Sequence, residues 1–337
     1  MQVITSISRL TQWRKHLLPP MLSVIYLTAL SPKFDLFIWI EQPCLFFVSM
    51  FCTAAFGYWV NDLFDIKIDK AANKKNFLSE KSITFKIWGL IFFSVVGIIS
   101  WVLLNSSFEA TLLFILFYVF LILYSIPPFR FKNNPILGPI SDIHYGHVLP
   151  VFVPLILFYK DLIYLFPAFL VSLYFLCFMK GSRNILLHQL VDRKGDSKSG
   201  IKTFPLKFKS VFTLNLINRI ILPIELILIL CILIYFWPRT NIITYGFVGY
   251  TIFYFLNFSA WKLPFIPYRQ LKFKFLFVLN DFYELWLPYL CLWTSNLSLK
   301  QKIVLTIIHS IIFIFTFKKI GKELKKIAAN LGFVKAI

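Results

Sequence analysis

The feature that most constrains this chain is a ladder of long apolar segments separated by short charged gaps. About 20 consecutive apolar residues cross the hydrocarbon core of a bilayer as a helix. Such stretches fall at 16–31, 36–61, 83–104, 109–126, 138–159, 161–185, 211–237, 241–261, 274–294 and 302–318. Backbone groups in lipid must be paired internally, and these runs lack the alternation of barrel strands. The expectation is an all-α, polytopic transmembrane bundle of ten helices. Nine is the alternative, because the first segment is short and the ninth holds Asn280, Asp281 and Glu284. With 58% hydrophobic residues and a mean hydropathy of +0.75, the solvent of this chain is lipid.

Charge placement adds an orientation. An excess of 35 Lys+Arg over 15 Asp+Glu would suggest nucleic acid in a soluble chain, but here the cations sit between the apolar runs. With the N-terminus inside, 29 of them, Lys180 and Arg183 among them, fall on the inner side. Five fall outside (Lys33, Lys160, Arg239, Lys300, Lys302), and Arg219 lies within the seventh span. The positive-inside rule then predicts a multi-pass integral membrane protein with both termini and the functional loops cytoplasmic, in the cell inner membrane if the source is bacterial. No nucleic-acid partner is expected, and the oligomeric state stays open. The five cysteines lie within apolar stretches at no metal-like spacing and read as small apolar filler.

Two inner loops resemble each other. Leu63–Asp69 and Leu190–Asp196 both read Leu-x-Asp-x-Lys-x-Asp, 127 residues apart, each after an even-numbered span. The offset suggests two pseudo-repeated four-helix halves, about 16–126 and 138–261, with additional C-terminal helices at about 274–318, all within one domain over 1–337. Asn61, Asp65 and Asp69 stand at i, i+4 and i+8, on one helical face at the membrane edge. Asp192 and Asp196 repeat the i, i+4 step. Carboxylate and amide oxygens suit magnesium, which binds through a few carboxylates together with substrate phosphates. Two facing pairs would hold a diphosphate between metal ions. Lys67, Lys70, Lys74, Lys75, Arg193, Lys194, Lys198 and Lys202 lie around them, and some of these could contact phosphate oxygens.

At these residues the chain resembles the UbiA superfamily of intramembrane prenyltransferases. NDLFDIKID at Asn61–Asp69 is similar to that family's first Asp-rich motif, and DRKGDSKSGIKTFP at Asp192–Pro205 to its second. YSIPPFRFK at Tyr124–Lys132 looks like a third signature, and the N-terminal RLTQWRK is similar to the entry segment of some members. The resemblance implies a bundle around a central cavity open to lipid. It implies Mg2+ held by Asn61, Asp65, Asp192 and Asp196, with Asp62 and Asp69 assisting, and phosphate contacts from Arg130 and Lys132 with Tyr124 near them. The implied reaction is ionisation of an allylic polyprenyl diphosphate followed by attack of a small-molecule acceptor, an aromatic or other lipid precursor.

Among other polar residues near or within the spans, His188 is the first candidate to orient or deprotonate that acceptor, ahead of Asp142, His144 and His147. Glu225 lies mid-span with no partner legible in the sequence, and Asp281 and Glu284 form an i, i+3 pair. Two competing readings are weaker. A CDP-alcohol phosphotransferase needs an Asp-Gly-x-x-Ala-Arg core that does not occur here. An ion-coupled transporter should place its acidic residues near mid-membrane.

Overall fold

A computed structural model describes residues 10–29, 36–71, 76–159, 167–198, 200–235, 237–260, 279–314 and 321. Helices carry the fold, with no strand among the described residues. Helix α1 is Leu10–Thr28, α2 Leu36–Ala71, α3 Ile83–Leu103 and α4 Phe108–Ser125. Helix α5 runs Leu137–Phe158 through a π turn at His144–Val148, and α6 is Pro167–Lys198. A short helix Phe204–Phe208 precedes α7, which runs from Ser210 through a π turn at Ile217–Ile221 to Tyr235. Then come α8 (Trp237–Ala260), a π turn Phe282–Trp286 leading into α9 (Leu287–Thr294), and α10 (Leu299–Ile312). Among the described residues six helices are long and apolar enough to cross a membrane: Ile40–Lys70, Ile83–Leu103, Phe108–Ser125, Leu137–Phe158, Pro167–Lys198 and Ser210–Ile234. The protein is an all-α integral membrane protein.

Serines start several helices. Ser82 and Ser107 accept from the backbone N–H of Phe85 and Ala110, and Ser298 forms a reciprocal capping box with Gln301. Two helices overrun the expected spans. Helix α2 continues from 61 to Ala71 and α6 from 185 to Lys198, so both Asp-rich segments are helical. At 1.5 Å per residue, α2 spans about 54 Å against about 30 Å of hydrocarbon. Hydropathy falls at the first carboxylate, but the i→i−4 ladder does not depend on it.

The chain forms two compact units, Met1–Met21 with Lys33–Ile232, and Leu22–Pro32 with Leu233–Ile337. In the first, α3 and α4 both pack on α2 through small residues, as membrane helices do where little else favours association. A side-chain carbon at Gly89 would sit 2.1 Å from the Trp59 ring, so the glycine is the notch that admits the indole. Trp59 Nε1 donates to the Lys86 carbonyl at 3.0 Å, and its ring meets Phe77, Phe85 and Phe93. Ser49 donates to the Gly97 carbonyl at 2.9 Å. Helix α5 lies against α4 and α6: His144 stacks on Phe120 and bonds the Ile140 carbonyl and the Tyr174 hydroxyl. Gly181 of α6 brings the backbone to within a methyl's breadth of His147 and Ile143.

The structure differs from the charge count on Lys180 and Arg183. Both lie inside α6 and are buried, not in a loop. Arg183 is 0% exposed, and its Nε and Nη2 donate to the two carboxylate oxygens of Glu225, also 0% exposed, at 2.7 and 2.9 Å. Each charge makes the other tolerable at membrane depth. Glu225 therefore has the partner that its sequence neighbourhood did not reveal.

In the second unit, buried His309 meets the Tyr26 hydroxyl at 3.2 Å and packs on Tyr289 and Phe313. Gly246 accommodates Leu290. Asp281 and Glu284 are half-buried at the π turn before α9.

Candidate active site

The site begins on the last turns of α2. Asn61 and Asp65, one turn apart, face the segment that follows α4. Pro127 ends that helix: it cannot continue the hydrogen-bond ladder, and Ile126 before it is extended at φ −92° and ψ 130°. The Pro127–Pro128 peptide is cis. Arg130 is left-handed at φ 36° and ψ 57°, a conformation that costs a non-glycine residue about 1–3 kcal/mol and gathers at functional sites.

The turn delivers two cations to α2. Arg130 Nη2 donates to Asp65 Oδ1 at 2.6 Å. Lys132 Nζ reaches both oxygens of Asp65 at 2.5 Å and the Asn61 side-chain oxygen at 2.8 Å. These side chains are largely withdrawn from solvent, at 18% for Arg130, 14% for Asp65 and 8% for Lys132. Arg130 Nε is buried and has no hydrogen-bond partner among the described residues, a donor still available in a cluster that is otherwise paired.

Asp69 is occupied differently. Asn76 is buried beyond the end of α2 and donates from its side chain to Asp69 at 2.9 Å and to the Asp62 carbonyl at 2.8 Å. Its own oxygen accepts from Leu78 N–H. Asn76 thus ties residues 76–78 to the last turns of α2 and occupies Asp69. The Asp62 side chain is buried. Lys75 lies outside the described residues.

The second cluster is at the end of α6. His188 Nδ1 and Asp192 Oδ2 are 3.2 Å apart, one turn from each other, with the imidazole 68% and the carboxylate 49% exposed. Asp196 is buried, and its carbonyl accepts from Ile201 N–H where the chain turns back. Lys198 and Lys202 are exposed beyond it. No three His, Cys, Asp or Glu side chains form a ready-made metal cluster among the described residues. The donors are divided between two helices.

Tyr124 has a carboxylate of each cluster within Coulombic range. It lies on the last turn of α4, within Coulombic range of Asp65, Asp196 and Asp142. Its ring meets Tyr145 edge-on at 5.4 Å, and the Tyr145 hydroxyl donates to Asp142 at 2.6 Å. Asn76, Tyr145 and the weight of Asp142 escaped sequence reasoning. The only available signal was a carboxylate near the inner end of an apolar span.

Lys132 carries a pH consequence. Burial pushes its ammonium below the usual lysine range, and Asp65 opposes that shift without cancelling it. Between the lowered folded value and the ordinary unfolded one, the unfolded chain binds the extra proton, so stability from this group rises with pH there. Below both values no further change comes from it. Its charge is accordingly lost earlier on the alkaline side than that of a surface lysine. In Lys132→Arg, which keeps its charge, the alkaline decline in affinity for a diphosphate ligand should move to higher pH. An unmoved limb in a titration of donor binding would remove Lys132 from the phosphate site.

Comparison with known proteins supports the family. The UbiA prenyltransferase family matches residues 17–280. Two solved structures of a UbiA homologue from Archaeoglobus fulgidus, one bound to DMAPP and Mg2+ and one to GPP and Mg2+, share this fold. Each aligns at a TM-score of 0.61 and 17% identity, over 87% of this chain and 99% of its own. A structure of digeranylgeranylglyceryl phosphate synthase aligns at 0.59 and 18% identity, again over 87% and 99%. Comparison with curated protein sequences gives no match. With the family's match running from residue 17, in α1, to residue 280, just before the π turn Phe282–Trp286, this chain belongs to the UbiA prenyltransferase family.

Proposed function

We propose that the chain transfers a prenyl group from a polyprenyl diphosphate to a small-molecule acceptor within the membrane, with Mg2+ at the two Asp-rich helix ends. The observation that carries this reading is the meeting of Asn61, Asp65, Arg130 and Lys132, with Tyr124 in electrostatic reach of both Asp65 and Asp196. The dimethylallyl and geranyl diphosphates bound with magnesium in the archaeal neighbours support the donor class and the metal.

The residues fit that metal. The donor set is oxygen throughout, and magnesium completes such a shell with water and substrate phosphate. Asn61, Asp65, Asp192 and Asp196 would hold it, Asp62 assisting from beneath and Asp69 from its place beside Asn76. Bound there, magnesium neutralises charge on the departing diphosphate. Arg130 offers its buried, unpartnered Nε to a phosphate oxygen, and Lys132 shares its ammonium between Asp65 and the ligand. Tyr124 closes the floor of the diphosphate site. His188 holds the orientation of Asp192, while Lys198 and Lys202, with Lys75, attract the anionic donor from outside. The excess of cations on these loops supports a cytoplasmic position for the site and both termini.

The test is diphosphate release by purified protein in nanodiscs supplied with labelled geranylgeranyl diphosphate and longer donors. Release should require magnesium and stop in chelator. Undiminished release in chelator overturns the metal assignment. Absence of both release and donor binding at every chain length overturns the reading as a whole.

A further inference from the structure

One acidic group that the diphosphate chemistry does not use lies beside the candidate site, within Coulombic range of Tyr124. Asp142 lies near the inner end of α5, directly before the π turn His144–Val148, an irregularity that recurs at functional sites. Its Oδ2 is held by the Tyr145 hydroxyl at 2.6 Å. Its Oδ1 accepts no hydrogen bond among the described residues, and the residue is half-buried. There is space beside it at Gly146. A side-chain carbon built at Gly146 would meet Asp142 Oδ1 at 3.6 Å and no other neighbouring group within 4 Å. Tyr124, which also senses Asp65 and Asp196, is within Coulombic range of the same carboxylate, as is His188. A tethered, half-buried carboxylate with room at Gly146 beside its free oxygen, next to the candidate diphosphate site, is placed to accept a hydrogen bond from a second substrate.

We propose that Asp142 is the acceptor-side catalytic residue, receiving the proton of a hydroxyl acceptor, an alcohol or phenol whose oxygen attacks the prenyl carbon. The inference rests on the prenyl-transfer reading above. The C1–O bond of the donor breaks with its electron pair leaving on diphosphate. A lone pair of the acceptor oxygen forms the new C–O bond to C1, and the hydroxyl proton passes to Asp142 Oδ1, giving a prenyl ether, diphosphate and a neutral carboxylic acid. Tyr145 keeps the carboxylate aimed, and the missing side chain at Gly146 leaves room for the acceptor. His188 suits this role less well than its sequence position implied. It is mostly exposed, and one ring nitrogen faces Asp192.

The experiment uses the full chain in nanodiscs with magnesium and labelled geranylgeranyl diphosphate. The hydroxyl probes are 4-hydroxybenzoate, 1,4-dihydroxynaphthoate and a monoacylglycerol, and ether product is read by mass spectrometry beside donor affinity. Asp142→Asn should lower ether formation at least about 100-fold, the scale of losing a general base, with donor affinity within about twofold of wild type. Asp142→Glu, which keeps the carboxylate, should restore part of the rate and covers the case in which the Asn variant folds poorly. Gly146→Val should raise the acceptor KM without changing donor affinity. Ether formation by Asp142→Asn within about twofold of wild type overturns the proposal, as does equal loss of donor affinity, which would move Asp142 to the diphosphate site. Wild-type protein that releases diphosphate but prenylates none of the probes, or joins them only through ring carbon, overturns the inference alone. Wild-type protein that neither binds nor cleaves any donor overturns the function proposal beneath it.

Discussion

Asp65→Ala should reduce prenyl transfer by at least about 100-fold, the scale on which loss of one preorganised electrostatic partner slows an enzyme. Asp65 is engaged by both cations of the 130–132 turn, so its removal takes away a proposed metal ligand and the anchor that seats Lys132 and Arg130. Asp192→Ala should lose activity on the same scale for a different reason. Its side chain is half-exposed and pairs with the exposed His188, so folding should change little while the second half of the donor set disappears. Transfer rates measured beside thermal unfolding in detergent separate the cases. Retained activity in both variants would sink the assignment of the site.

Glu225→Ala is the change expected to damage stability most. Breaking a buried ion pair by removing one partner costs about 3–5 kcal/mol, because the remaining charge keeps its desolvation penalty. Arg183 is fully buried and meets Glu225 through two hydrogen bonds, a fork geometry that a lysine cannot reproduce. The double variant Arg183→Met with Glu225→Leu removes both charges and should recover most of the loss. Unfolding by denaturant or heat reads the difference. A single variant as stable as wild type would show that the pair is not what tolerates these charges in the bundle.

These residues also mark where sequence reading stops. Apolar runs of membrane length were plain, and so were the aspartates that break them. The helix ends were less plain. Hydropathy falls at Asn61 and again after Ile185, yet the backbone ladder continues to Ala71 and Lys198 because polar residues sustain it equally well outside lipid. A cation near a span end reads as a loop charge, so the sequence alone puts Arg183 with the inner loop. Its carboxylate is 42 residues away, and only packing brings the two together. Arg130 and Lys132 entered through resemblance to a family signature, and their aim at Asp65 depends on a left-handed residue that no periodicity announces. Asn76 and Tyr145 are ordinary polar residues until their partners are known.

The unbroken run of α2 from membrane depth to its charged end has a consequence for insertions and deletions. Asn61 and Asp65 stand on the same rod as Ser49, Thr53 and Gly57, whose contacts with α3 and α4 fix its rotation. Each residue of an α-helix turns the chain by about 100° and advances it by 1.5 Å. One residue gained or lost between Gly57 and Asn61 would swing both ligands about a quarter-turn away from the 130–132 turn while leaving hydropathy and composition almost unchanged. Four residues would nearly restore the phase but lift the ligands by about 6 Å. The spacing between the lipid-embedded contacts and the carboxylates is therefore as strictly determined as the carboxylates themselves, and an insertion or deletion in this half of the chain is expected to be tolerated only in the connections between helices.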